Sequence, residues 1–384
     1  MSKTIFEINE KIKSGKAVVV TAEEVIDIAE EKGVKKAAEY VDVVTTGTFG
    51  PMCSSGMFVN FGHSNPPIRM SKVMLNDVPA FGGLAAVDAY VGATEMSVKK
   101  GMAYGGAHVI EDFIAGKDIH LQAESYGTDC YPRKEIDTYV NKNNVNQIYL
   151  FNPRNCYQNY AAATNSTGKT IYTYMGTLLP KYGNVTYSTS GQLSPLLNDP
   201  EYRTVGIGTR LFLGGGIGYV AWEGTQHNPD RERMANGIPT LGAGTLSLIG
   251  DLRGMSTEFI RGGVFQKYGV TLYVGVGIPI PVLDEDMLIK TAVKNKDIYT
   301  RILDKSGKAD LDVLVNYEEL RSGSVTLLGK TVHTAPLTSL LKSRVIAKRL
   351  KEWILHEGFL LTEKVADLPA HNKVNTLEIR SSSV

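Results

Sequence analysis

The sequence holds little that would mark it for a membrane, an oxidising compartment or a nucleic acid. Its longest apolar stretches, such as Tyr273 to Val282, reach about half of a bilayer span and are broken by Gly and Pro. The first residues, Met1-Ser2-Lys3-Thr4-Ile5-Phe6-Glu7, put charge where a signal peptide needs an apolar core, so a cytoplasmic protein is expected. Cysteine is scarce: three residues cannot close a disulfide framework and suit a reducing compartment. Neither charge sign dominates, with 41 basic against 40 acidic side chains, which leaves no general field for a polyphosphate. The seven histidines show no His-x-x-x-His spacing and the cysteines no Cys-x-x-Cys, so no metal site is predicted. Internal repeats and low-complexity linkers are also missing.

What is present describes a globular chain. With 384 residues, 43% apolar and 21% charged, it suits one large α/β domain or two ordinary ones. Apolar spacing predicts helices over Ile5 to Ile12, Glu24 to Glu31 (opened by a Thr21/Glu24 capping pair), His108 to Ala115 and Leu337 to His356. Strand-sized pieces fill most of the rest, among them Met57 to Phe61, Lys72 to Leu75, Ile119 to Ser125, Val145 to Asn152, Val205 to Leu213 and Val270 to Val276. The expected fold class is α/β: a single large unit of mixed, partly antiparallel sheets with a C-terminal helix, spanning 1–370. A division into two lobes would fall near Gly262, and residues 371–384 read as a polar tail. Gly at 39 residues, roughly 10% against about 7% on average, and Tyr at 19 stand out.

Two segments imitate nucleotide sites. Ala163 to Thr170 is one residue short of a P-loop, with Ala where the first Gly should shape the cradle. Gly214 to Gly218 and Gly242 to Gly244 follow strand-like runs without completing a dinucleotide fingerprint, and read as tight turns.

The chemistry concentrates around the cysteines. Cys53 lies in Thr48-Phe49-Gly50-Pro51-Met52-Cys53-Ser54-Ser55-Gly56, where a sharp turn and small residues can aim several N–H groups at one spot. Cys130 precedes Arg133 and Lys134, two cations that would lower a thiol pKa and dock a carboxylate. Cys156 follows Arg154 and Asn155 in a third polar segment. Against these readings stands the ordinary fate of a free cysteine, burial as a small apolar residue.

Several of these segments together resemble one family. They are Met52-Cys53-Ser54-Ser55-Gly56, Asn60 to Ile68, Glu124 to Lys134, Asn152 to Asn155, Gly250 to Met255 and Pro279 to Pro281. The chain is similar through them to the homocysteine-biosynthesis sulfur-incorporation family. The resemblance implies a sulfurtransferase that converts L-aspartate semialdehyde to L-homocysteine, with Cys53 and Cys130 as the two cysteines that matter. Some members carry CBS domains, which this chain is not expected to have. Many work with a small ferredoxin-like iron–sulfur protein. With no cluster motif here, no cofactor is expected on this chain, and reducing equivalents would come from that separate partner.

On this reading Cys130 carries a persulfide, because Arg133 and Lys134 favour its anion, and Cys53 is the second, redox-active thiol; the reverse assignment stays open. Arg133 or Arg154 would bind the substrate carboxylate, with Lys134 assisting. Asn155 or the N–H groups around Ser54 would hold an oxyanion, and His63 would donate a proton. The competing readings are a general persulfide or thiol–disulfide carrier, and an enzyme binding an iron–sulfur cluster through three cysteines. A homo-oligomer is compatible with either. No nucleic-acid or membrane partner is expected.

Overall fold

The computed structural model describes residues 2–379. Its largest element is a wholly antiparallel sheet of 13 strands. From one edge it runs through Glu135–Val140, Ile119–Glu124, Lys72–Leu75, Val78–Phe81, Asp88–Gly92 and Gly56–Asn60. It continues through Gln147–Asn155, Leu246–Asp251, Gly216–Glu223, Arg210–Leu213, Gly269–Gly277 and Ile260–Phe265, with Thr48–Pro51 also pairing on Gly269–Gly277. Alternation sets its faces. In Gly56–Asn60, Met57 and Val59 point into the core while Phe58 lies half-buried on the other face.

The inner face is covered by helix Gly106–Ile114, whose Val109, Ile110 and Phe113 are fully buried. Glu111 accepts the Gly262 N–H at 2.7 Å and ties this helix to strand Ile260–Phe265. Gly262, considered above as a lobe boundary, is therefore in the interior of a strand, opposite Leu272. A separate core does exist elsewhere. A six-stranded sheet of mixed direction joins Asp312–Asn316, Tyr299–Asp304, Ala162–Thr164, Val185–Tyr187, Lys330–Pro336 and Ser324–Leu327 around Tyr317, Ile302 and Leu320. Its strands come from two distant stretches of chain, and composition offers no sign of that.

The N-terminal helices and the last helix close one end over a small sheet of Val19–Thr21, Val43–Thr45 and Pro279–Pro281. The expected Thr21/Glu24 pair forms, with Thr21 N–H donating to Glu24 at 2.7 Å and Glu24 N–H to Thr21 Oγ1 at 3.2 Å. The C-terminal helix begins at Leu340 rather than Leu337, because Ser339 caps it by accepting the Lys342 N–H. Its buried stripe of Ser343, Ile346, Ala347, Leu350 and Ile354 lies on the sheet so closely that a Cβ at Gly47 would overlap the Ser343 carbonyl. The start of the tail is held by His371 and Asn372, which bond Asp230 and the His227 carbonyl. Its last residues, 380–384, lie outside the described residues.

Leu350 is completely buried between this helix and the sheet. Leu350→Ala is expected to cost about 2–5 kcal/mol of unfolding free energy, read as a lowered denaturation midpoint at unchanged denaturant slope.

Candidate active site

Cys53 is positioned by a crossing of the chain over the large sheet. Strand Thr48–Pro51 pairs with Gly269–Gly277, and the Met52 N–H continues that pairing to the Leu272 carbonyl at 2.7 Å. Four residues later, Gly56–Asn60 sits between Asp88–Gly92 and Gln147–Asn155. The intervening turn is closed by Ser55, whose N–H and hydroxyl both donate to the Met52 carbonyl, at 3.1 and 2.8 Å. Ser54 donates its hydroxyl to the Arg154 carbonyl at 2.9 Å, and Asn152 Nδ2 reaches Ser55 Oγ at 2.8 Å. Between these anchors the Cys53 sulfur lies 3.3 Å from Thr271 Oγ1.

The thiol opens on a cavity of about 560 Å³ whose wall also includes Ser54, Arg154, Tyr157, Tyr160, Tyr174 and Tyr268. The Arg154 guanidinium is held by Thr225 Oγ1 at 3.0 Å through Nε and by Gln226 Oε1 at 2.7 Å through Nη1. No carboxylate pairs with it among the described residues, so it presents an uncompensated cation to the space beside Cys53. Tyr174 receives a hydrogen bond from Lys305 Nζ at 3.0 Å. Burial acts to raise its phenol pKa, but the ammonium together with a hydrogen bond from Tyr160 outweighs burial and holds it below the usual tyrosine value.

Cys130 lies elsewhere. It is exposed on the hairpin loop between Ile119–Glu124 and Glu135–Val140, with its sulfur 3.5 Å from Thr128 Oγ1. That loop packs on the turn after Asn60. Arg133 donates to the Pro66 and Asn65 carbonyls at 2.9 and 2.8 Å, and His63 stacks on Tyr131 at 6.0 Å. Lys134 is exposed beside Gly127. Cys53 precedes strand Gly56–Asn60, which is about 13 Å long, and the Cys130 loop packs on the turn that follows it. The structure thus gathers Cys53, Ser54 and Arg154 in one cavity, and Cys130, Arg133, Lys134 and His63 in a second, exposed cluster.

Cys156 and Asn155 belong to neither cluster. Cys156 is buried and the lack of solvation pushes its thiol pKa well up, which leaves it a poor nucleophile. Asn155 is fully buried and accepts its neighbour's N–H, away from the wall of the Cys53 cavity. The tyrosines and Lys305 escaped sequence reasoning, because they come from four separate segments. The tyrosine count of 19 was the one available signal. The P-loop imitation is filled by the protein itself: Ser166 donates its N–H and hydroxyl to Asp304 at 3.1 and 2.6 Å. Gly214 and Gly215 form the tight turn of a hairpin, as expected. No group of three or more metal-ligating side chains forms among the described residues, and none of their helices is long and apolar enough to cross a membrane.

A half-buried thiol, an arginine without a carboxylate partner and several phenols thus share one cavity, the kind of concave, polar-edged space in which small-molecule sites are found. Residues 17–361 match the model of the homocysteine biosynthesis enzymes of sulfur incorporation, and the chain belongs to that family. A protein of Methanocaldococcus jannaschii named L-aspartate semialdehyde sulfurtransferase is 55% identical over 390 residues, covering 97% of this chain and 74% of the relative. One of the same name from Methanosarcina acetivorans is 51% identical over 381 residues, covering 98% of this chain and 74% of the relative. No solved structure matches the chain.

The three thiols should differ in reactivity. Under native conditions iodoacetamide is expected to alkylate Cys130 and Cys53 and to spare Cys156 until the chain unfolds, as read by peptide mass spectrometry. Cys156→Ala should correspondingly retain most of the enzyme's activity.

Proposed function

We propose that this chain is an L-aspartate semialdehyde sulfurtransferase that forms L-homocysteine, as the names of its relatives suggest, with the aldehyde bound in the Cys53 cavity. The observation that carries this reading is the pairing of a reachable thiol with an unpaired arginine in one cavity. Arg154 grips the substrate carboxylate with the part of its fork that Thr225 and Gln226 leave open. A separate sulfur donor carrying sulfane sulfur passes it to Cys53 and is left as its own thiol. The resulting Cys53 persulfide faces the carbonyl carbon, and Tyr174, backed by Lys305, supplies the proton to the carbonyl oxygen. This takes the reverse of the cysteine assignment that charge spacing favoured, since Cys53 is the thiol that faces the cavity.

The electron count calls for the second cysteine and for an outside reductant. The terminal persulfide sulfur bonds to the carbonyl carbon, and Cys130 attacks the inner sulfur to leave a Cys53–Cys130 disulfide. The adduct loses the carbonyl oxygen as water and stands at the thioaldehyde level, two electrons and two protons short of the thiol. One electron pair reduces that carbon and another reopens the disulfide. Both come from an external donor, for which a separate ferredoxin-like iron–sulfur protein is the proposed partner. Disulfide formation requires Cα atoms within about 7 Å, so the 125–134 loop must move toward Cys53, or a second copy must present its own.

Cys53→Ala and Cys130→Ala should each abolish homocysteine formation at unchanged thermal stability. An active Cys53→Ala enzyme would remove the cavity from the reaction. Arg154→Gln should raise the KM for aldehyde at least tenfold. Tyr174→Phe should lower kcat by about 10² or more with little change in KM, measured under one reductant.

A further inference from the structure

A second cavity, of about 250 Å³, opens between the six-stranded sheet and the start of the C-terminal helix. Its wall includes Arg321, Thr189, Ser190, Thr334 and Thr338, and no Asp or Glu. Arg321 is half-buried, and its Nη1 lies beside the turn at Gly191. Among the described residues it forms no ion pair and no side-chain hydrogen bond, although taking a guanidinium out of water without a partner is costly. Glu23, the carboxylate whose charge reaches it, is already engaged by Nε and Nη2 of Arg344, at 2.8 and 2.9 Å.

The hydroxyls can be sorted by where their hydrogens go. Thr334 donates to the Leu320 carbonyl at 2.6 Å. Ser343 donates to the Ser339 carbonyl at 2.8 Å, so the 2.7 Å contact between Ser190 and Ser343 uses the hydrogen of Ser190. Thr189 accepts from the Gly191 N–H at 3.3 Å and bonds the Tyr317 hydroxyl, whereas Thr338 has only a long contact of 3.5 Å to Ser188. The Thr338 hydroxyl and a guanidinium therefore face a space with no anionic acceptor, and the space is large enough for more than ordered water.

We propose that this cavity binds the anionic oxygens of a small phosphate or carboxylate compound, with Arg321 as the charged partner and Thr338 as the hydroxyl donor. The site is distinct from the Cys53 cavity and independent of the reading of that thiol. The two are neighbours, however. Thr189 and Thr338 also line a gap of about 20 Å³ at Cys156, whose other wall includes Met52, Tyr157 and Ser188 of the Cys53 cavity.

The test is titration of the full chain with inorganic phosphate in one arm and succinate in the other, by calorimetry and by the shift in Tm. Saturable binding of either probe is expected in the wild type and in Arg154→Gln. It should weaken at least tenfold in Arg321→Met and severalfold in Thr338→Val. Whichever arm saturates names the source of the oxygens. With no anion present, Arg321→Met should melt no lower than the wild type, because the arginine has no internal partner to lose. No saturation by either probe up to about 10 mM, undiminished binding in Arg321→Met, or binding lost in Arg154→Gln instead would overturn the assignment. So would a clear fall in the anion-free Tm of Arg321→Met, which would make the arginine structural.

Discussion

The placement of the Cys53 thiol depends on one constraint, the satisfaction of backbone hydrogen bonds where the chain crosses the large sheet. Residues 48–51 and 56–60 pair with strands that are not neighbours, so the four residues between must leave one ladder and enter another. Buried backbone groups need partners throughout such a crossing. Met52 finds one on Leu272, and Ser55 turns back on Met52. Cys53 and Ser54 are the residues left to face outward, and the cavity forms where they do. Small side chains at 54 and 55 are required because their hydroxyls replace the ladder bonds that the crossing forgoes.

The cavity also depends on the second core. Tyr157 and Tyr160 follow the end of strand Gln147–Asn155, Tyr174 follows a strand of a small hairpin, and Tyr268 occupies the hairpin tip between Ile260–Phe265 and Gly269–Gly277. Lys305 arrives from the end of a strand in the six-stranded sheet. The site is thus assembled where the two sheets face each other. Its phenols sit in partly desolvated surroundings, where a hydrogen bond from an ammonium counts for more than it would in water.

Two cysteines with different surroundings suit a reaction that moves sulfur and then electrons. Cys53 is sheltered beside its arginine, while Cys130 is carried on a loop with Arg133 engaged in bracing the neighbouring turn. A sheltered thiol protects a bound sulfur from solvent reductants. An exposed one is accessible to a protein donor. Cys156 shows the contrast: buried in the apolar core, its thiol has its pKa pushed up by the loss of solvation.

Much of the local structure was legible beforehand. Residue periodicity marked the helices at Ile5, Glu24 and His108 and about half of the strands of the large sheet, because amphipathic spacing is a local property. Strands Val78–Phe81, Asp88–Gly92, Leu246–Asp251, Ile260–Phe265 and the exposed edge strand Glu135–Val140 were not, nor was the helix Glu285–Thr291, since short or glycine-interrupted strands, a polar edge strand and a two-turn helix leave little pattern. The cysteine segments, too, were recognisable from their turn formers and flanking cations. By itself the sequence determined which residue types carry chemistry and which short elements hold them. Only the tertiary structure decided that Arg154, rather than Arg133, shares a cavity with Cys53, and that phenols from remote segments close its wall. The physical reason is that strand pairing across a 13-stranded sheet joins residues far apart in the chain, and no local pattern records which strands will be neighbours.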